Sequence, residues 1–128
     1  MKQLAIRENH LFSKAYAKGN KSASKTVAVY VLRDRAAEKL RRANPEKKLQ
    51  NRVGISASKK IGGAVERNRS KRVVREAYRQ IEQNTGIKKG YLIVISCRSA
   101  CAETKMQNVM RDLEECLGTL GMLCGDTL

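Results

Sequence analysis

The sequence is 128 residues long, one domain's length, with room for a single modest core but not for two independent ones. Hydrophobic residues make up 41%, which excludes a disordered chain; aromatics are only 4% and Trp is absent, so the core must be built from Val, Ile, Leu and Ala. Lys and Arg number 27 against 12 Asp and Glu, a formal +15 whose self-repulsion predicts a polyanionic partner.

Residues 8–18 predict a helix, with Asn9 as N-cap and Gly19 as stop. Leu11 with Ala15 and Phe12 with Tyr16 form i,i+4 pairs on adjoining parts of one face, an arrangement that suits core packing as well as a ligand surface. The run TVAVYVL, residues 26–32, predicts a strand with Val27, Val29 and Val31 on one face and Tyr30 on the other. Residues 33–51 form a charged insertion, in which residues 34–43 suit a short helix ended by Pro45. A second strand follows at residues 52–58, Val53, Ile55 and Ala57 alternating with Gly54, Ser56 and Ser58.

Residues 59–83 hold a glycine turn and then a long helix without a breaker. Val65, Val73, Val74, Ala77, Tyr78 and Ile81 fall on its apolar side. Arg67, Lys71, Arg75 and Arg79 make an i,i+4 cationic stripe flanked by Asn68 and Arg72, which Glu66 and Glu76 relieve only in part. After a turn at residues 86–90, YLIVISC (residues 91–97) reads as a strand covered on both faces. A final amphipathic helix carries Ala102, Met106, Val109, Met110, Leu113, Cys116, Leu117 and Leu120, its methionines serving as core, and residues 121–128 read as a frayed tail. A short extra strand near the start fits as well. This order predicts one α+β domain over residues 1–128, a sheet sandwiched with a few helices.

The charge is unevenly spread. Residues 1–51 carry 13 basic and 4 acidic groups, residues 52–79 carry 9 and 2, and residues 80–128 carry 5 and 6. A surface charged only for solubility has no reason to be lopsided, whereas a docking surface does. The first 19 residues mix charges and lack a continuous apolar block, so no secretory signal is expected, and no run approaches the ~20 apolar residues that cross a bilayer. Cys97, Cys101, Cys116 and Cys124 include no Cys-x-x-Cys pair and His10 is the single histidine, which argues against zinc and for reduced, packed thiols in the cytoplasm. No nucleophile, base and orienting group recur at a catalytic spacing, and residues 59–63 are not a phosphate-binding P-loop. What remains is a basic helix entered through glycines: Arg and Lys neutralise phosphates, Arg grips two oxygens at once, and Asn68 can donate and accept at a sugar or base edge.

Residues 52–79, RVGISASKKIGGAVERNRSKRVVREAYR, resemble the signature region of the bacterial ribonuclease P protein family, with its Arg67-Asn68-Arg69 motif followed by Lys71-Arg72 and Arg75-Glu76-Ala77. The resemblance extends to Phe12, Tyr16 and Gly19 and to the strand carrying Tyr30, and so spans about residues 6–117 around the insertion. It implies a ribosomal protein S5 domain 2-like two-layer sandwich with a left-handed strand–helix–strand crossover, an exception to the right-handed rule. It also implies a ribonucleoprotein endonuclease that removes the 5′ leader of precursor tRNA. The RNA subunit and substrate would hold catalytic magnesium ions and the protein would supply no catalytic residue. By the same resemblance Arg67, Asn68, Arg69, Lys71, Arg72 and Arg75 face the ribonuclease P RNA. Phe12, Tyr16 and Tyr30 line a cleft for the single-stranded leader, with Lys59, Lys60 and Arg98 at its margin, in keeping with RNA held by aromatic stacking in a positive groove. No membrane and no obligate protein partner are implied. The chain departs from the pattern where Tyr16 replaces the usual Phe, where Ser58 and Ser99 are uncharged, and in the longer insertion. A general RNA-binding module shares the charge without the ordered motif. A DNA-binding helix would need a preceding short helix and tight turn that the sequence does not predict.

Overall fold

A five-stranded mixed sheet forms the centre of the fold, in the order β1 (Leu4–Ala5), β4 (Arg52–Ala57), β5 (Tyr91–Cys97), β3 (Val27–Arg33), β2 (Asn20–Ala23). Packed on it are the helices α1 (Asn9–Lys18), α2 (Ala64–Asn84) and α3 (Met106–Thr119), and the computed structural model describes residues 4–5, 9–34, 39 and 51–124. β4 pairs parallel with β5, joined by the strand–helix–strand crossover through α2, while β3 lies antiparallel to both β5 and β2.

Register sorts the side chains onto two faces. Val29 opposes Ile95 and Val31 opposes Ile93, and across β5 the same residues meet Ile55 and Val53. This face is covered by α2 and α3, which bury Val74, Ala77, Tyr78 and Ile81, and Val109, Leu113, Cys116 and Leu117. On the other face Leu92 and Val94 pack against Leu11 and Ala15 of α1, with Phe12, Tyr30 and Leu32 half-buried beside them. β5 is thus apolar on both sides, as its unbroken run predicted. α1 enters from β1 at one edge and leaves into β2 at the other, so it must cross this second face. Gly19 makes the exit possible: a Cβ there would lie 2.6 Å from the Ala15 carbonyl oxygen and 3.0 Å from that of Val31.

Several expectations need correction. Val65 is 76% exposed, because the buried stripe of α2 begins at Ser70 and the helix's first turn projects past the sheet. Residues 99–103 form a separate 3₁₀ turn, so Ala102 precedes the last helix, which starts at Met106. Gly121 to Cys124 are not frayed: Met122 is buried, Lys88 N–H donates to its carbonyl, Cys124 N–H donates to Gly86, and Leu123 bridges to Ile87. Gly86, at φ +85°, ends α2 by donating to the Ile81 carbonyl and so turns the chain to meet that tail. Of the four thiols, Cys97, Cys101 and Cys116 are buried and Cys124 is exposed.

The insertion is anchored at both ends. Arg33, counted with it from sequence, is the last residue of β3. Asp34 is buried and accepts two hydrogen bonds from the Arg52 guanidinium, at 2.6 and 3.0 Å. Asn51 is also buried; its side-chain amide donates to the Lys88 carbonyl at 2.8 Å and to the Tyr78 hydroxyl at 3.4 Å, and accepts from Tyr91 N–H at 2.9 Å. Burial pushes the Tyr78 phenol well above its ordinary range, so it stays protonated. The short helix expected over residues 34–43 falls, apart from Asp34 and Lys39, outside the described residues.

Candidate nucleic-acid interface

Because β4 and β5 are parallel, both end at the same edge of the sheet, and antiparallel β3 begins there. Lys59 and Lys60, on the 3₁₀ turn after β4, and Arg98, directly after β5, are exposed at this end. Arg98 is held in place by its own guanidinium, which donates to the Ser24 carbonyl at 3.1 Å, and by its N–H, which donates to Thr26. That contact fastens the β2–β3 turn, including exposed Lys25, to the same rim. The turn is fixed from behind by Thr26, whose hydroxyl donates to buried Asp112 of α3 at 2.7 Å.

Between α1 and this end of the sheet lie the aromatic side chains expected to line a cleft. The rings of Tyr16 and Tyr30 meet edge-on, with centroids 4.7 Å apart and planes at 85°. Lys21, opposite Tyr30 on β2, places its ammonium 5.5 Å from the Tyr30 centroid, a cation–π contact. Tyr16 is 40% exposed, whereas Phe12 and Tyr30 are half-buried in the small core under α1. Tyr16 therefore offers the most open ring, and the other two aromatics are partly structural. Its hydroxyl reaches the sheet, 2.9 Å from Ser56 Oγ and 3.2 Å from Ser96 Oγ, and those two serines lie 2.9 Å apart. Both belong to neighbouring strands in register, and neither was singled out from sequence for a place beside Tyr16. Only a pairing of β4 with β5 reveals them together. Lys21 was likewise missed, since β2 carries no apolar alternation by which to recognise it as a strand.

On the opposite face α2 starts at the same rim. Its polar side presents Asn68, Arg69, Arg72 and Arg75 exposed and Arg67 and Lys71 half-exposed. Arg67, Lys71, Arg72 and Arg75 form no ion pair among the described residues. Arg79 differs: its guanidinium donates twice to Glu76, and this lowers the Glu76 pKa and raises that of Arg79. The uncompensated cationic row thus ends at Arg75, one turn sooner than the spacing predicted. Exposed Val65 sits at the head of this row. Among the described residues no three carboxylate, thiol or imidazole groups converge on a point. No described helix is long and apolar enough to cross a membrane.

This basic α+β domain, with aromatics on one face and a cationic helix on the other, belongs to the Ribonuclease P family, whose model matches residues 1–121. Along nearly its whole length it is similar to proteins named ribonuclease P protein component. It is 31% identical over 126 residues to that of Clostridium acetobutylicum, covering 98% of this chain and 96% of the relative. With that of Bacillus mycoides it shares 34% identity over 121 residues, 94% of each chain. Among solved structures, the Staphylococcus aureus RNase P protein superposes with a TM-score of 0.74 at 26% identity, over 94% of this chain and 98% of that one. The Thermotoga maritima RNase P protein shares the fold, with a TM-score of 0.65 at 24% identity over 90% and 94%.

Proposed function

We propose that this chain is the protein subunit of a ribonuclease P and promotes endonucleolytic removal of the 5′ leader from precursor tRNA. In this reading the exposed row Arg67–Asn68–Arg69–Lys71–Arg72–Arg75 docks on the catalytic RNA. The cleft of Phe12, Tyr16 and Tyr30, rimmed by Lys59, Lys60 and Arg98, holds the single-stranded leader. Magnesium ions belong to the RNA subunit and substrate and supply the hydrolytic chemistry; the protein binds and orients. The observation that carries the reading is the shared rim: the cleft opens at the end of the sheet from which the cationic helix springs. One RNA-bound surface can therefore present a leader to a second, adjacent one. Stacking on an open ring supplies about 1–3 kcal/mol per base, and the rim cations neutralise the phosphates between bases.

The test is reconstitution of the protein with a bacterial ribonuclease P RNA and precursor tRNA at low magnesium. The expected result is a marked increase in leader cleavage and tighter binding of precursor than of mature tRNA. No stimulation would refute the reading. Tighter binding to duplex DNA than to either RNA would favour a DNA-binding helix, although α2 here follows a strand and a 3₁₀ turn rather than a helix-turn.

A further inference from the structure

We infer that Asp112, acting through Thr26 and the Ser24 carbonyl, is a positioning residue that aims the Arg98 guanidinium at one phosphate of the bound leader. The inference rests on the assignment of Arg98 to the cleft margin. It adds a part for α3, which supplies no residue to either proposed RNA surface.

The residues that α3 buries are Val109, Leu113, Cys116, Leu117 and one carboxylate, Asp112. Taking a carboxylate out of water is costly, and an apolar side chain would serve packing better. Asp112 is 7% exposed, and among the described residues one strong donor reaches it, the buried Thr26 hydroxyl at 2.7 Å. The Arg111 guanidinium stays 4.0 Å away on the outside of the helix. What the carboxylate secures is the place of a turn. Ser24 N–H donates to the Val27 carbonyl at 2.8 Å and closes the connection from β2 to β3. Ser24 Oγ lies 3.4 Å from the Asp112 carbonyl oxygen and 3.5 Å from Cys116 Sγ, so α3 meets this turn at three points.

Arg98 hangs on the same turn by both its ends. Its main-chain N–H donates to the Thr26 carbonyl at 2.9 Å, and its Nη1 donates to the Ser24 carbonyl at 3.1 Å. A guanidinium carries five N–H donors, and with Nη1 bound the Nε–Nη2 edge has no partner among the described residues. Those two N–H bonds run parallel and fit two oxygens of a carboxylate or a phosphate. Arg52 turns this same edge to the Asp34 carboxylate, at 2.6 and 3.0 Å. Arg98 is exposed, and a side chain of its length loses much rotamer freedom when a ligand fixes it. A turn held from behind removes that loss in advance and leaves the two-pronged edge facing outward.

Titration of precursor and mature tRNA against the reconstituted ribonucleoprotein tests the inference. Arg98→Ala should weaken precursor binding about fivefold, the value of one net hydrogen bond, and leave mature tRNA binding unchanged. Thr26→Val keeps the side chain's shape without its hydroxyl and should weaken precursor binding about threefold, with no further loss when Arg98→Ala is already present. Thr26→Ser keeps the hydroxyl and should bind within about twofold of the unmodified protein. The paired change Thr26→Val with Asp112→Val removes both polar partners at once, so its melting temperature should not fall, yet it should show the same threefold loss of about one Thr26→Val change. Thr26→Val and the paired variant binding precursor normally, or a loss that persists in full without Arg98, would overturn the inference and leave the cleft margin standing. Arg98→Ala binding precursor as tightly as the unmodified protein would overturn the margin assignment itself, and the inference with it.

Discussion

Phe12 packs half-buried against the small core under α1 and, in the proposed reading, also walls the leader cleft. Phe12→Ala is expected to weaken precursor tRNA binding roughly tenfold while leaving mature tRNA binding unchanged, as measured by titrating both against the reconstituted particle. A parallel loss for both RNAs would assign the ring to the core alone. Asn51 is the opposite kind of residue, buried and wholly occupied in joining the start of β4 to the Lys88–Tyr91 turn and to Tyr78. Asn51→Ala leaves the Tyr91 N–H and the Lys88 carbonyl without that partner and should cost about 2–3 kcal/mol, seen as a lower denaturant midpoint with no change in RNA specificity. Neither Asn51 nor Asp34 was legible as structural, since both sit in a stretch whose composition reads as solvent-exposed. The contacts of the Tyr16 hydroxyl with Ser56 and Ser96 were invisible for a different reason: they join positions 40 and 80 apart, and local pattern carries no information about such pairings.

At the scale of elements, the strands and helices that bury an apolar face were legible because burial imposes a period. β3, β5 and α2 fall within one or two residues of their expected bounds. β2 escaped because it is an edge strand of three polar residues and an alanine, three of the four exposed, and so carries no apolar alternation. The first turn of α2 misled in the other direction: Val65 lies near the apolar side of the periodic pattern, yet it is 76% exposed. The same helix supports a prediction that separates neighbouring arginines. Arg67→Ala should weaken binding to the RNA subunit and reduce the slope of log K against log salt by about 1, since one phosphate contact is lost. Arg79→Ala should change that slope far less, because its guanidinium is already taken up by Glu76. Equal slopes for the two variants would show that the ion pair opens on binding.

For the molecule as a whole, charge and stability pull against each other. The net +15 resides mainly in α1, β2, the insertion and α2, while α3 exposes Glu114 and Glu115 on the far side. Added monovalent salt screens self-repulsion, so it should raise the melting temperature of the free protein by a few degrees and at the same time lower RNA affinity by orders of magnitude. Calorimetry and filter binding over one salt series would show the two effects with opposite sign; a melting temperature that fell with salt would mean that native ion pairs outweigh the repulsion. The Asp34–Arg52 clamp has a different consequence. It holds the two ends of the insertion side by side at the start of β5, the end of the sheet remote from Arg98 and Lys59. Loop closure between points already pinned grows only logarithmically with length, about 0.6 kcal/mol per doubling. The chain between them is thus a natural grafting point, where a fluorescent domain or an affinity handle can be spliced in without parting the pinned ends.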